Sequence, residues 1–229
     1  MKIILVCLLF VCSGFANEKI YHEVTKRTFI VEDIEGWTVC VNETVLKDKD
    51  WPMAKRIMSN QLFNLKRRLK DEVVTDMQKV KIYVDIKQKG KGGAEYHPSK
   101  QWLKNNGFAP EKAQCIEISG IQGFIRYERY QPWVMLHELI HSYHHQVLKF
   151  DNKEIIKCYQ DIMKKEKYKK TLYVDGRTRF HYSRTDHKEY FAEAAEAYFG
   201  VNDYYPFTKG ELLQYDPEIC KILEKLKRK

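Results

Sequence analysis

Several absences narrow what this 229-residue chain can be. Beyond an opening apolar stretch from Ile3 to Val11, no run approaches the ~20 apolar residues that a membrane-spanning helix needs. A membrane-embedded protein is therefore not expected. No two cysteines stand as Cys-x-x-Cys, which argues against a zinc site built from thiolates. There is no internal repeat, and no linker long enough to divide the chain into independent domains. The formal net charge is +9, yet no RNA- or DNA-binding signature accompanies it. The basic runs Lys66 to Arg68, Lys87 to Lys91, Lys164 to Lys170 and Lys225 to Lys229 are separate in sequence and read as solvated faces. No nucleic-acid partner is expected, only a weak preference for acidic surfaces or substrates. Oligomeric state is not legible.

Met1-Lys2, the apolar stretch and the small residues Ser13, Gly14 and Ala16 have the form of a secretory signal peptide cleaved after Ala16. Residues 17–229 then form one domain, with an N-terminal lobe over about 17–150 and a C-terminal lobe over about 151–229. Cys40, Cys115, Cys158 and Cys220 remain in the exported part. An even number in a secreted chain predicts two disulfides, Cys40 with Cys115 and Cys158 with Cys220. Asn42-Glu43-Thr44 is a candidate N-glycosylation sequon.

Alternation over residues 20–46 predicts short strands. From Pro52, Met53, Ile57, Met58, Leu62, Leu65 and Leu69 recur at helical spacing, with the proline in the first turn. Val80 to Ile86 is the clearest strand, followed by a glycine-rich loop to Gly93. Cys115 to Ser119 reads as another strand, suggested as the edge along which an extended peptide could pair. His97, before a proline, reads as a hydrogen-bonding or surface histidine. Asp151 and Asn152 are expected to cap a helix over about 153–168. Residues 171–186 look irregular, a helix over about 186–199 stops at Gly200, and Pro217 opens a last basic helix.

The chemistry concentrates in Val134-Met-Leu-His-Glu-Leu-Ile-His-Ser-Tyr-His-His145. His137 and His141 are four apart, about 6 Å of axial rise on one helix face, so both imidazoles can chelate one ion. Glu138 points to the neighbouring side, within reach of a water at that ion. This is the H-E-x-x-H arrangement of zinc peptidases. Apolar residues on both sides of the pair suit a buried helix with an inward polar stripe, which needs partners.

A catalytic zinc takes three protein ligands and leaves a position open. His144 lies ~10 Å further along the axis than His137, too far to share an ion. The metzincin continuation fails, because position 144 is His and position 147 is Val. The third ligand must come from elsewhere, and Glu189 and Glu193 stand four apart on the later helix. Either could in principle reach the metal. The pair suits a gluzincin site, in which the first carboxylate binds zinc and the second accepts a hydrogen bond from the free nitrogen of a ligating histidine.

Tyr182-Ser-Arg-Thr-Asp-His-Lys-Glu-Tyr-Phe-Ala-Glu193, together with His137 to His141, resembles the anthrax lethal factor-like zinc metallopeptidases. In that family a tyrosine precedes the ligand glutamate by seven, and the ligand opens a Glu-aromatic-Phe-Ala-Glu motif. The resemblance implies His137, His141 and Glu189 as ligands of Zn2+, Glu138 as general base and Tyr182 as oxyanion stabiliser. It covers residues 137–141 and 182–193 well, and the large accessory domains of the bacterial toxin are lacking. The expectation is an α+β zincin-like fold, with a mixed sheet and the His-bearing helix in the N-terminal lobe and a smaller helical C-terminal lobe. Its function would be a secreted zinc endopeptidase acting on a peptide or protein substrate. The rival reading is a non-catalytic secreted binding protein that keeps the zincin shape.

Overall fold

A computed structural model describes residues 18–87 and 92–228. The expected signal peptide and part of the 87–93 loop lie outside the described residues. In chain order the strands and helices are β1 Lys19–His22, β2 Arg27–Ile34, β3 Trp37–Asn42, α1 Glu43–Leu46, α2 Trp51–Lys66, α3 Asp71–Gln78, β4 Ile82–Asp85, β5 Gly93–Tyr96 and α4 Lys100–Asn105. There follow β6 Ile116–Ser119, α5 Ile121–Tyr127, α6 Val134–Tyr143, α7 Lys153–Lys164, β7 Thr171–Leu172, β8 Thr178–Arg179, α8 His187–Phe199, α9 Lys209–Tyr215 and α10 Pro217–Glu224. The fold is α+β, with a mixed six-stranded sheet in the order β1-β2-β3-β4-β6-β5.

Sheet register follows from local chemistry. Glu35 and Gly36 both have positive φ and join β2 to β3 with Ile34 opposite Trp37, the two-residue turn that matches strand twist. Trp37, Val39, Val41, Ile82, Val84, Ile116 and Ile118 then share one face, against which α2, α3, α5 and α6 bury the main core. The opposite face carries Phe29, Cys40, Tyr83 and Cys115 as a second, smaller apolar cluster. Strand β5 is antiparallel to β6 and forms the sheet edge, so the Ile116–Ser119 strand is interior. The suggested edge role passes from residues 115–119 to 93–96.

All ten residues of α6 are buried. Its first turn has no side-chain cap of its own; instead the Met135 N–H donates to Gln61 Oε1 of α2 at 3.0 Å, satisfying one of the orphan donors of a helix start. Helix α8 is capped by Asp186, whose Oδ1 accepts from the N–H groups of Lys188 and Glu189 at 2.8 and 3.0 Å. Ala192, Ala194, Ala195 and Ala197 keep it slim enough to pack closely on α6. At its end Gly200 leaves no room for a Cβ, which would lie 2.1 Å from the Trp133 indole at the start of α6. That close approach sets the end of α8 against the start of α6.

Two sequence expectations meet obstacles. The four cysteines among the described residues are all free thiols, and β4 runs between the strand of Cys40 and that leading from Cys115. Two inter-strand spacings amount to ~9.6 Å, beyond the usual reach of a disulfide. Asn42 is 4% exposed; its Oδ1 accepts from the Thr44 N–H, and its Nδ2 donates to Asp85 at 2.9 Å. The Asn-Glu-Thr letters therefore serve a helix cap, and the folded surface does not present this asparagine for glycosylation.

Candidate metal centre and cleft

Helices α6 and α8 bring the expected residues together. His137 Nε2 and His141 Nε2 lie 3.0 Å apart, and Glu189 Oε2 is 3.1 Å from each. Three donor atoms thus converge on one point from two helices. Around a tetrahedral zinc with bonds of ~2.0–2.1 Å, ligand atoms sit roughly 3.3 Å apart, so a small expansion of this triangle accommodates the ion. Both nitrogens and a carboxylate at such range are mutually repulsive unless a cation or proton lies among them. The donor set of two imidazoles and one carboxylate suits zinc.

The tautomer of His137 follows from its other nitrogen. Nδ1 lies 2.7 Å from Glu196 Oε1, and a carboxylate can only accept, so Nδ1 carries the proton and Nε2 keeps a lone pair toward the ion. Glu196 is fully buried, and its Oε1 also accepts from Gln131 Nε2 at 2.9 Å. This corrects the expected role of Glu193, whose nearest oxygen stands 3.8 Å from His137 Nδ1. Glu193 instead turns its other oxygen toward His181 Nδ1 at 3.6 Å. Glu196 was not among the expected residues, and its signal in the sequence is weak: positions 189, 193 and 196 continue one face over two turns, as a solvated acidic face also would.

In the metal-free chain burial pushes the Glu189 carboxyl up, but the hydrogen bonds it shares with His137 Nε2 and His141 Nε2, whose proton occupies the place an ion would take, prevail and hold it well below its ordinary value, ionised as a ligand should be. Glu138 responds differently: burial pushes its carboxyl up, opposed by the two histidines. Its Oε2 accepts the Tyr96 backbone N–H at 2.7 Å, which ties the carboxylate to the edge strand β5. Tyr182 opens a short 3-10 turn, and its ring lines the same cleft; burial raises its phenol to about 12, so the hydroxyl keeps its proton and can donate.

The cleft has a volume of about 700 Å³. Its walls include β5, the Phe124 and Tyr127 face of α5, Tyr204, and the residues already named. None of its lining residues is Lys or Arg, although the chain holds 40 of them. His144 lies outside the centre, fully buried among Phe150, Phe191 and His187, and burial holds it neutral at about 3. His97 is buried too and bonds Glu117 at 3.0 Å, a hydrogen-bonding histidine as its setting suggested. No family model matches this chain, and no curated protein or solved structure matches it either.

Proposed function

We propose that this protein is a zinc-dependent endopeptidase of zincin-like architecture, exported and acting on peptide or protein substrates. The observation that carries the reading is the triangle of His137 Nε2, His141 Nε2 and Glu189 Oε2, with edges of 3.0 and 3.1 Å, opening into a cleft that also holds Glu138 and Tyr182. His137, His141 and Glu189 would hold the zinc, and Glu196 would fix the His137 ring. When bound, the ion supplies Lewis acidity, lowering the pKa of water toward ~7 and polarising a carbonyl.

The other parts are supplied by the chain. Glu138, raised by burial yet anchored to β5, is poised to take a proton from water in the cleft and pass it to the departing amine. The protonated Tyr182 hydroxyl can donate to the oxyanion as negative charge develops on the former carbonyl oxygen. Strand β5 offers backbone groups at a free sheet edge, to which an extended peptide can pair beside Glu138.

Two measurements on the purified protein test the proposal together. One zinc per chain and hydrolysis of a mixed peptide library, abolished by chelation and restored by zinc, are the expected results. Stoichiometric zinc with no hydrolysis of any peptide would favour the non-catalytic binding protein, and no zinc uptake would remove the peptidase reading.

A further inference from the structure

Two of the basic runs that are far apart in sequence meet in space. The Leu69 and Lys227 backbones form an antiparallel bridge, Lys70 N–H donates to Leu226 O at 2.9 Å, and Arg228 N–H donates to Arg68 O at 2.8 Å. This ladder lays the end of the described chain against the segment that follows α2. The result is a groove of about 210 Å³ lined by Arg67, Arg68, Lys209, Lys227 and Arg228 over a floor of Tyr198 and Phe199. No carboxylate is among the lining residues.

Charge compensation here is uneven. Lys209 and Lys227 share Glu224 at 3.4 and 3.3 Å, and Arg228 meets the exposed Asp71 at 3.1 Å. Among the described residues Arg67 and Arg68 have no ion-pair partner. Arg68 lies over the Trp133 ring at 4.6 Å and donates to Asn64 O at 3.2 Å, while Arg67 lies over Phe63 at 5.7 Å. Burial and the neighbouring Arg67 charge both weigh against the Arg68 cation. Five cations with two unmatched guanidinium forks form a site that an oxyanion would relieve.

We propose that this groove binds a sulfated polysaccharide, with its sulfate esters held by Arg67, Arg68, Lys209, Lys227 and Arg228. A linear polyanion is favoured over a membrane because the only apolar side chains lining the groove, Tyr198 and Phe199, are each 5% exposed and so offer little to insert into a bilayer, while five cations line it. The same burial of Tyr198 and Phe199 removes the stacking platform that single-stranded nucleic acid uses. The site shares no lining residue with the cleft, so it is independent of the peptidase reading.

Binding of the full chain to heparin, to its desulfated form, to phosphatidylserine vesicles and to DNA tests the proposal. The groove variant carries Arg67→Gln, Lys209→Gln and Lys227→Gln; a control carries Lys164→Gln, Lys165→Gln and Lys170→Gln, which removes the same charge from exposed positions outside the groove. Heparin is expected to bind in a salt-sensitive manner, at least tenfold more tightly than desulfated heparin, with the groove variant weakened about ten- to a hundredfold and the control less than twofold. Equal weakening in the two variants would reduce the effect to net charge and overturn the site. Tighter binding to vesicles or DNA than to heparin, or no difference on desulfation, would overturn the ligand class. Circular dichroism of both variants guards against misfolding.

Discussion

Two clusters of buried ionisable groups in this molecule are treated oppositely. On the outer face of the sheet, Lys112, 1% exposed, places Nζ 2.6 Å from both Asp85 Oδ2 and Glu117 Oε1. Arg27 reaches Asp85 at 2.8 Å, Asn42 bonds its other oxygen, and His97 completes Glu117. Two cations meet two carboxylates, and the network closes on itself. Between α6 and α8, Glu138, Glu189, Glu193, Glu196 and Asp203 surround His137, His141 and His181 with no Lys or Arg among them. Glu193 Oε2, Glu196 Oε2 and Asp203 Oδ1 are buried and unpartnered within the described chain. Buried charge is tolerated when it is matched in place. The second cluster gathers more carboxyls than its histidines can match, and burial pushes Glu138, Glu193 and Asp203 toward the protonated form, a mismatch that the proposed metal would relieve.

The largest effect should come from opening the closed network. Lys112→Met leaves Asp85 and Glu117 facing one another without their shared cation, and removing one partner of a buried ion network costs about 3–5 kcal/mol. Chemical denaturation should show that loss, with zinc stoichiometry per folded molecule unchanged. A stability within 1 kcal/mol of the parent would mean that the network relaxes or hydrates freely.

At the other cluster the expected losses are in metal and turnover. Glu138→Gln should keep zinc while hydrolysis falls at least ~100-fold, the usual scale for a general base. Glu189→Ala should lose zinc on dialysis, and Tyr182→Phe should keep it while turnover falls, because the hydroxyl matters only as charge develops. Zinc retained in Glu189→Ala would sink the ligand assignment. Turnover unchanged in Glu138→Gln would place the base elsewhere.

A finer comparison separates the two glutamates one turn apart on α8. Glu196 accepts directly from His137 Nδ1, whereas Glu193 stands off at 3.8 Å. Glu196→Gln should weaken zinc about 10–100-fold, the scale for losing a partner that orients a ligating histidine, and Glu193→Gln should weaken it less. Competition with a chelator of known affinity measures both, and the reverse order would return the orienting role to Glu193.

What the sequence made legible, and what it hid, follows the same division. Periodicity located α2 and α6, and the Val80 to Ile86 run located β4, because each buries an apolar pattern whose period is visible in one dimension. His137, His141 and Glu189 were legible as a spacing plus a motif. Glu196 was not, because a glutamate late in an alanine-rich helix reads as solvent-facing until its partner helix is placed. Strand β5 is only Gly93 to Tyr96 beside a glycine-rich loop, too short to show alternation. Lys112 was invisible for a physical reason: an isolated loop lysine belongs in water unless the fold brings carboxylates to it. Asn42 misled because the sequon and an asparagine cap with Thr two residues on use the same letters.

The smallest effect, and the sharpest contrast, is in pH dependence of the metal-free protein. Burial opposes ionisation of Glu117, but the His97 hydrogen bond and Lys112 prevail and hold its carboxyl below the ordinary value. A depressed carboxyl binds fewer protons folded than unfolded, so its stabilisation is present above the unfolded pKa near ~4.5 and is lost as pH falls through the folded one. Asp203 has the opposite sign. Burial, reinforced by Glu196, raises it to about 7, so the folded state holds a proton that the unfolded chain releases near ~4. Its contribution therefore declines as pH rises from ~4 to about 7. Each group contributes a slope of at most about 1.4 kcal/mol per pH unit. Denaturation of chelated protein from pH 3 to 8 should reveal a rise followed by a decline; Glu117→Gln should flatten the first limb, and Asp203→Asn the second. A decline unchanged in Asp203→Asn would assign that titration to another carboxylate of the cluster.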